Sequence, residues 1–350
     1  MMKTRAKVAV IPGDGAAPEA MAAALRVLRA LDAPIELDLL PPGRELLHLE
    51  PQARALYVHE HIDAANSVLF GSTDGTTPGI LHMRWGRGTF ANVRPIRYRR
   101  GFRSPLARPE GIDYVIVREN LEDLYVGVMG PLEDLLASGL VSERSRVPNT
   151  REGRYAAKVI TRAGTERVAR FACELAMKRR KKLTVSAKTN MLPATDAYFC
   201  DLTREIAQEY PGLAFEQYIV DDMAHRLVSR PHELDVLLLP NLYGDVLSDE
   251  GAATIGGLGV APSGCFGESF AYFESAHGTA PDIAGKGVIN PTATLLSAAM
   301  MLEHLGMNAQ ASRLDRAVSA VYAAGRALTP DQGGSASTEA CGDALIAALE

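Results

Sequence analysis

The sequence predicts an α/β protein with a layered fold and a largely parallel sheet. Short apolar segments alternate with longer segments of helical periodicity through most of the 350 residues, and this alternation is typical of α/β layers. The strands are expected near 7–11, 35–40, 67–70, 113–117, 183–187 and 235–239, and the helices near 18–31, 161–180, 193–209 and 245–255. Because a chain of this length exceeds one usual domain, about two domains are expected.

The first strand is the apolar run Val8-Ala9-Val10-Ile11, which Pro12 and Gly13 end. A Gly13-Asp14-Gly15 turn and then Pro18 follow, and a proline at this place is typical of a helix start. No GxGxxG motif follows the strand, so the usual dinucleotide-binding fingerprint is missing. Any nicotinamide cofactor must therefore bind by other means.

The segment from about 126 to 158 fits neither a strand nor a helix layer. It is rich in charge and weak in apolar periodicity. Long connections of this kind are uncommon inside a compact domain unless they have a function. We interpret this segment as an arm that reaches a partner.

The apolar run 236–239 predicts a buried strand, and the helix after it carries Asp245 and Asp249 four residues apart. Side chains at this spacing lie on one face of a helix. Two like charges there destabilise a helix by about 0.2–0.5 kcal/mol, so a cation is expected between them. Oxygen ligands favour Mg²⁺ or Mn²⁺. The structural alternative is a solvated helix face that carries two ordinary acids.

Composition excludes several classes of function. The 37 basic and 42 acidic residues give a net charge of −5, which argues against nucleic acid or an anionic membrane as a partner. The N-terminus does not fit a signal peptide, and no uninterrupted apolar stretch approaches the roughly 18 residues that span a bilayer. The four cysteines form no CxxC pair; we expect them to be reduced, as in the cytoplasm.

Three arginines have unusual neighbours in the sequence, namely Arg84, Arg94 and Arg118, and Tyr125 follows shortly after the third. The guanidinium group binds carboxylates through two hydrogen bonds and keeps its charge at any working pH. If these arginines converge, they suit a di- or tricarboxylate substrate. Taken singly, each could instead form an ordinary surface salt bridge.

Together, these features resemble the β-decarboxylating dehydrogenases, the family of isocitrate, 3-isopropylmalate, homoisocitrate and tartrate or malate dehydrogenases. Seven motifs occur in the family's order: GDGAAPE at 13–19, FANVRP at 90–95, VRENLEDLYVG at 117–127, AKTNMLP at 187–193, IVDDM at 219–223, NLYGDVLSDEGA at 241–252 and FESAHGTAPDIAGKGVINPTA at 273–293. The resemblance covers nearly the whole chain. It implies an oxidoreductase that oxidises a 3-substituted malate and then releases CO₂.

The resemblance also implies the role of each site residue. Arg84, Arg94 and Arg118 match the arginines that hold the two malate carboxylates, and Asp245 and Asp249 match ligands of the metal. Asp221 matches a third ligand and Lys188 matches a lysine that works with Tyr125 in proton transfer, both supplied by the other subunit. The expected protein is therefore a homodimer with shared active sites.

The fold that the resemblance implies has two layered domains, is like that of isopropylmalate dehydrogenase, and is not a Rossmann fold. Residues 1–99 and 253–350 would form a large cofactor-binding domain, and residues 100–252 a small domain with the dimer interface and the arm. The cofactor-binding residues that it implies are His277, Gly278, Thr279, Ala280, Asp282, Ile283 and Asn290. A carboxylate at Asp282 would accept a hydrogen bond from the ribose hydroxyl of NAD and repel the 2′-phosphate of NADP, so NAD is expected.

Substrate choice depends on the residues before Arg84. Ile80 and Leu81 are apolar and suit an alkyl group, as in isopropylmalate enzymes, because a desolvated carboxylate without partners would cost several kcal/mol. Glu119 and Asn120 after Arg118, however, look more like isocitrate members. The best interpretation is a 3-isopropylmalate-like substrate. The alternatives are isocitrate, homoisocitrate, a specialised malate analogue, or a regulatory paralogue subunit without activity.

Overall fold

The computed structural model of the protein describes residues 5–140 and 152–349. Within these ranges the chain forms twelve strands and ten α-helices. The strands are β1 (Ala6–Ile11), β2 (Ile35–Leu39), β3 (Ser67–Phe70), β4 (Ala91–Arg97), β5 (Asp113–Glu119), β6 (Met129–Pro131), β7 (Arg154–Ala156), β8 (Lys182–Ala187), β9 (Ala214–Ile219), β10 (Val236–Leu239), β11 (Pro262–Phe266) and β12 (Ala271–Ser275). The helices are α1 (Ala17–Ala30), α2 (Pro51–Asp63), α3 (Leu132–Ala137), α4 (Arg162–Met177), α5 (Tyr198–Ala207), α6 (Val220–Ser229), α7 (Asn241–Ile255), α8 (Thr292–His304), α9 (Asn308–Ala324) and α10 (Thr338–Ala347).

Ten of the strands form a single sheet in the order β2-β1-β3-β12-β11-β4-β5-β10-β8-β9. Both outer parts of this sheet are parallel, whereas the pairs β12·β11, β11·β4 and β4·β5 are antiparallel. Because three antiparallel pairs lie between them, strands β5, β10, β8 and β9 run opposite to β1, β2, β3 and β12. The prediction of an α/β fold with a largely parallel sheet is confirmed, and its antiparallel centre is an addition to it.

Each strand and helix expected from the alternation is present, with small shifts at the ends. The helix expected at 193–209 is a π-helical turn, Pro193–Ala197, followed by α5, and the helix expected at 245–255 begins earlier, at Asn241. The run 236–239 is fully buried as β10, because it pairs with β5 and β8 and is covered on both faces. The elements that the alternation did not predict include β4, β9, β11, β12, α2, α6, α8, α9 and α10.

The largest hydrophobic cluster crosses the boundary between the two expected domains. It contains Leu25 and Leu296 from the expected large domain, and Ile116 and Leu237 from the expected small one. The continuous sheet crosses the same boundary between β4 and β5. The sheet and the core thus mark no boundary between the two expected domains, and the division into two domains stays a prediction.

The expected arm contains a second, two-stranded sheet, β6·β7, outside the main one. Helix α3 lies between these strands in sequence, and residues 141–151 of the expected arm lie outside the described residues. Val128, Met129 and Leu140 expose much of their apolar side chains to solvent. A two-stranded ribbon is at best marginally stable on its own, so the ribbon favours the interpretation as an arm. Its partner stays a prediction.

No helix among the described residues is both long enough and apolar enough to cross a membrane.

Candidate active site

The first half of the site lies where β5 and β10 end and α7 begins. Arg118 is near the carboxyl end of β5, and α7 starts directly after β10. Gly244 on α7 makes their close approach possible: a Cβ atom there would lie 2.5 Å from Cγ of Arg118 and 2.6 Å from its Cβ. The absence of a side chain at this helical position lets Arg118 reach the acids of α7.

The Arg118 side chain is 2% exposed and holds its partners on α7 through directed hydrogen bonds. Its Nη1 donates to Oδ1 of Asp245 at 2.5 Å, and its Nε donates to Oδ1 of Asn241 at 2.9 Å. Burial lowers the pKa of Arg118 to about 10, against the effect of the Asp245 carboxylate. Arg118 therefore still carries its charge at neutral pH.

Tyr125 contacts the other oxygen of the same carboxylate. Its hydroxyl donates to Oδ2 of Asp245 at 3.0 Å, and the guanidinium carbon of Arg118 lies 5.6 Å from its ring centroid. Burial and the charge of Asp245 raise the pKa of Tyr125. The phenol thus keeps its proton near neutral pH, as a proton donor must.

Arg94, on β4, contacts the next turn of α7. Its Nη1 donates to Oγ of Ser248 at 2.6 Å and to Oδ1 of Asp249 at 3.3 Å, and its Nη2 lies 3.7 Å from Oδ1 of Asp245. Asp245 and Asp249 thus share one face of the helix, as their spacing predicts. Burial raises the pKa of Asp249, and the nearby Asp245 adds to this effect.

Arg84 lies in a π-helical turn, His82–Gly86, close enough to Arg118 and Tyr125 to influence their pKa values. Its Nε atom is buried without a hydrogen-bond partner. Burial alone would lower the pKa of Arg84. The nearby Tyr272, Cys265 and Glu274 outweigh this effect, so the pKa is raised above its usual value. The three arginines expected to bind the substrate therefore converge on one site.

Trp85 is a site residue that the sequence reasoning missed. It is the only tryptophan of the chain. Its side chain is 41% exposed, and its Nε1 donates to the carbonyl oxygen of Leu121 at 3.1 Å. Trp85 therefore ties the Arg84 turn to the segment that leads to Tyr125. Its position next to Arg84 is the signal that could have identified it.

The second half of the site lies at the ends of β8 and β9. Nζ of Lys188 donates to Oδ1 of Asp221 at 2.5 Å, at the start of α6. This contact is the main reason why the pKa of Asp221 is lowered. Among the described residues of one chain, no group of three acidic, histidine or cysteine side chains could hold a metal ion. One chain therefore brings Asp245 and Asp249 together and leaves Asp221 and Lys188 apart from them.

The expected cofactor segment follows β12 and is held by the loop after β1. The amide of Ala16 donates to the carbonyl of Thr279 at 2.8 Å. The Glu19 carboxylate accepts from the amides of Gly285 at 2.5 Å and Gly287 at 2.7 Å. Glu19 lies in the GDGAAPE motif, but its contact with this segment could not be predicted from the sequence. Glu19 is thus a positioning residue for the segment.

The residues expected to bind the cofactor differ in their accessibility. Gly278 and Asp282 are exposed, Ala280 has a left-handed backbone with φ 45°, and Ile283 packs against a small apolar cluster with Ala16. Nε2 of His277 is buried without a partner, and burial lowers the pKa of this ring.

Asn290 is the most enclosed residue of the expected cofactor set. Its side-chain amide donates to Oη of Tyr322 at 3.0 Å and to Oδ2 of Asp331 at 2.9 Å. Its side chain therefore stabilises the protein interior, and its contact with a cofactor stays a prediction.

The expected specificity loop is fixed by a single buried carboxylate. Asp14 accepts hydrogen bonds from the hydroxyls of Thr73 and Thr77, both at 2.6 Å. Ile80 packs against the apolar cluster below the loop, whereas Leu81 is 68% exposed. The contact of Ile80 and Leu81 with a substrate stays a prediction.

Comparison with known proteins decides the family. The sequence model described as "Isocitrate/isopropylmalate dehydrogenase" matches residues 7–345. The chain belongs to this family. It is therefore an oxidoreductase that acts on CH–OH donors and catalyses oxidative decarboxylation, and the resemblance of the seven motifs is confirmed. NAD or NADP and a divalent metal ion are the general cofactors of the isocitrate/isopropylmalate dehydrogenase family.

Relatives of this family with different substrates are equally similar to the chain. It is 40% identical to the isocitrate/homoisocitrate dehydrogenase of Thermus thermophilus, over 98% of each chain. It is also 40% identical to the 3-isopropylmalate dehydrogenase of Archaeoglobus fulgidus, over 95% of this chain and 96% of the relative. The crystal structure of isocitrate dehydrogenase from Methylococcus capsulatus superimposes with a TM-score of 0.85 at 33% identity, over 98% of this chain and 99% of that one. These similarities leave the substrate open.

The donor set on α7 fits the divalent ion of this family. Asp245 and Asp249 supply only carboxylate oxygens, which hard cations such as Mg²⁺ and Mn²⁺ prefer. Both side chains are partly exposed at the site. A cation between them would also relieve the repulsion that contributes to the raised pKa of Asp249.

Proposed function

We propose that this protein is an NAD-dependent dehydrogenase that requires Mg²⁺ or Mn²⁺ and oxidatively decarboxylates a malate with an alkyl group at C3, best represented by 3-isopropylmalate. The observation that carries this proposal is the convergence of Arg84, Arg94 and Arg118 next to two acids and a protonated tyrosine. Three guanidinium groups in a partly buried site favour a dianionic substrate.

Each group of site residues would have a separate role in the reaction. The arginines hold the two malate carboxylates and orient the C2–H bond toward nicotinamide. Asp245 and Asp249, with Asp221 of a second copy, would hold the metal. When bound, this ion supplies positive charge that favours loss of the hydroxyl proton and of CO₂. Lys188 of the second copy takes up the hydroxyl proton, and Tyr125 delivers a proton to C3 after CO₂ has left.

A homodimer with shared sites explains why one chain presents the machinery in two parts. Lys188 and Asp221 contact each other and form no metal site with Asp245 and Asp249. The exposed apolar residues of the arm, and of the segment after Lys188, offer surface that a second copy could bury. The unpaired, buried state of all four cysteines supports a reducing compartment such as the cytoplasm.

An alkyl substituent at C3 is supported by the surroundings of Arg118. Glu119 and Asn120, the residues that look like isocitrate members, are both buried. The Glu119 carboxylate accepts from the amides of Leu121 at 2.8 Å and Glu122 at 2.9 Å, and the Asn120 amide donates to the carbonyl of Thr89 at 2.9 Å. These two side chains stabilise the local backbone and do not offer a partner for a third carboxylate. The argument for isocitrate as the substrate, which depends on Glu119 and Asn120, is therefore weakened.

A substrate panel tests this function. The purified protein is mixed with NAD, Mn²⁺ and one of 3-isopropylmalate, 3-methylmalate, isocitrate or homoisocitrate, and NADH absorbance is followed. We expect kcat/KM for 3-isopropylmalate to exceed that for isocitrate by at least about tenfold, as apolar pockets discriminate on this scale. A preference for isocitrate or homoisocitrate would refute the alkyl substrate. Inactivity with all of them, in protein that still binds Mn²⁺, would favour a regulatory subunit.

Cofactor choice gives a separate prediction for Asp282. Its carboxylate is exposed in the cofactor segment, and the neighbouring segment 329–334 contains no arginine, lysine or tyrosine that could hold a 2′-phosphate. We expect kcat/KM to favour NAD over NADP by about 100-fold, and Asp282→Asn to reduce this ratio by about tenfold, because one repulsive charge is removed.

The matched control for Asp282→Asn is Glu268→Gln, which removes an exposed carboxylate in the turn between β11 and β12. It should leave the NAD/NADP ratio unchanged. Steady-state kinetics with both cofactors measure the effect, and a wild-type protein that prefers NADP would contradict the prediction.

A further inference from the structure

A largely buried ionic cluster lies between the two halves of the site. It consists of Asp123, Lys158, Asp196 and Tyr243. The Nζ atom of Lys158 lies 2.5 Å from Oδ1 of Asp196 and 3.3 Å from Oδ1 of Asp123, and its side chain is only 10% exposed. Both carboxylates are fully buried, and the Tyr243 ring centroid is 4.4 Å from the ammonium nitrogen. One largely buried ammonium thus bridges two fully buried carboxylates.

Asp123 holds the part of the chain that carries Tyr125 and α7. Its Oδ1 accepts from the amide of Leu124 at 2.8 Å, and its Oδ2 accepts from the amide of Leu242 at 2.9 Å. Leu124 directly precedes Tyr125, and Leu242 lies in the first turn of the helix that presents Asp245. Asp123 also has a φ of 67°, which is unfavourable for a residue other than glycine and persists only where the surroundings fix it.

Asp196 holds the other half of the site. Its Oδ2 accepts from the amide of Lys188 at 2.8 Å, so it fixes the backbone that carries this lysine. Lys158 itself is kept in place by its own backbone neighbour, because Val159 pairs with Asp123. The cluster therefore connects the backbone of Tyr125 and α7 with the backbone of Lys188.

We propose that Lys158 is a positioning residue that couples the two active sites of the dimer. Through Asp123 it fixes Tyr125 and α7, which serve the site of their own chain. Through Asp196 it fixes Lys188, which serves the site of the second copy. This inference rests on the proposed function, since only shared sites place Tyr125 and Lys188 of one chain in different active centres.

Loss of the ammonium has a defined consequence. The two buried carboxylates would face each other with no cation between them, and an unpaired buried charge is strongly unfavourable. They would separate, and the backbones of Tyr125 and Lys188 would move with them. Because small misplacements of a catalytic group cost large factors in rate, kcat should fall in both sites that the altered chain serves.

A hybrid dimer with one intact site tests the coupling. One copy carries Tyr125→Phe and the other Lys188→Met, so the intact site takes Tyr125 from the second copy and Lys188 from the first. Lys158→Met is then placed in either copy alone. We expect kcat to fall about tenfold in both placements, with KM values for substrate and NAD changed less than about twofold.

The variant Lys158→Arg separates positioning from a general loss of structure. It keeps a cation between the two carboxylates, so kcat should fall less than with Lys158→Met in both placements, with KM values still changed less than about twofold. The control Lys178→Met, which removes an exposed ammonium at the end of α4, should leave kcat unchanged in either copy.

The possible outcomes are distinct. Recovery of activity in the hybrid, followed by a fall in kcat in only one placement or in neither, overturns the coupling and leaves the proposed function standing. An inactive hybrid with intact Lys158, after confirmed subunit exchange, overturns the shared site and the coupling with it. If Lys158→Met does not fold, Lys158→Arg, which keeps the charge and changes the geometry, should give a smaller fall in both placements.

Discussion

Replacement of Asp245 by asparagine is expected to lower kcat by about 1,000-fold and to abolish tight Mn²⁺ binding. Asp245 is the point where the site residues meet, since it accepts from Arg118 at 2.5 Å and from Tyr125 at 3.0 Å. A metal ion contributes several kcal/mol to such a reaction, and each 1.36 kcal/mol corresponds to about tenfold in rate. The substitution would also leave the buried Arg118 with a weaker partner.

Steady-state kinetics over a range of Mn²⁺ concentrations, together with calorimetric titration of Mn²⁺, would measure the effect of Asp245→Asn. The matched control is Asp315→Asn. Asp315 also forms an ion pair of 2.5 Å with an arginine, Arg99, whose side chain is 10% exposed; Asp315 has an exposure similar to that of Asp245 but belongs to α9, outside the site. We expect this control to lower stability and to leave the Mn²⁺ dependence intact. Wild-type Mn²⁺ affinity in Asp245→Asn would contradict the assignment of Asp245 as a ligand.

Separate Tyr125→Phe and Lys188→Met proteins are expected to be nearly inactive and to regain activity when mixed. Under the proposed function each change removes one proton-transfer group, and such groups contribute about 100- to 10,000-fold. If sites are shared, random exchange makes half of the dimers hybrids with one intact site each. The mixture should therefore reach about a quarter of wild-type activity.

The control for this experiment is a chain with both substitutions, mixed with either single variant. No hybrid in that mixture has an intact site, so no activity should return. Subunit exchange is verified with differently tagged copies. If the two single variants exchange subunits and activity does not recover, Tyr125 and Lys188 belong to the same chain's site and the shared arrangement is wrong.

Local patterns in the sequence predicted those features of the site that depend on neighbours along the chain. The spacing of Asp245 and Asp249 specifies one helical face, and the uninterrupted run of β10 specifies a strand buried on both sides. Both features follow from the geometry of a single element. They could therefore be predicted without knowing the rest of the fold.

Features that depend on distant partners were not predictable in this way. β11 contains Pro262, Ser263 and Gly264, which have low strand propensity, and it forms only because β4 and β12 pair on its two sides. Lys158 lies in a charged segment that suggests a solvated surface, yet its side chain is only 10% exposed and lies between carboxylates 35 and 38 residues away in sequence (158 − 123 and 196 − 158). Trp85 likewise depends on the backbone of Leu121.

The single indole of the chain has a practical consequence. Trp85 lies beside Arg84, with the guanidinium carbon 5.3 Å from its ring centroid, and no second tryptophan contributes to the signal. When indole is excited selectively, at wavelengths where the eleven tyrosines do not absorb, the emission therefore originates at one location, beside Arg84. If Arg84 binds a substrate carboxylate as proposed, this emission should change on binding and report occupancy without an attached dye.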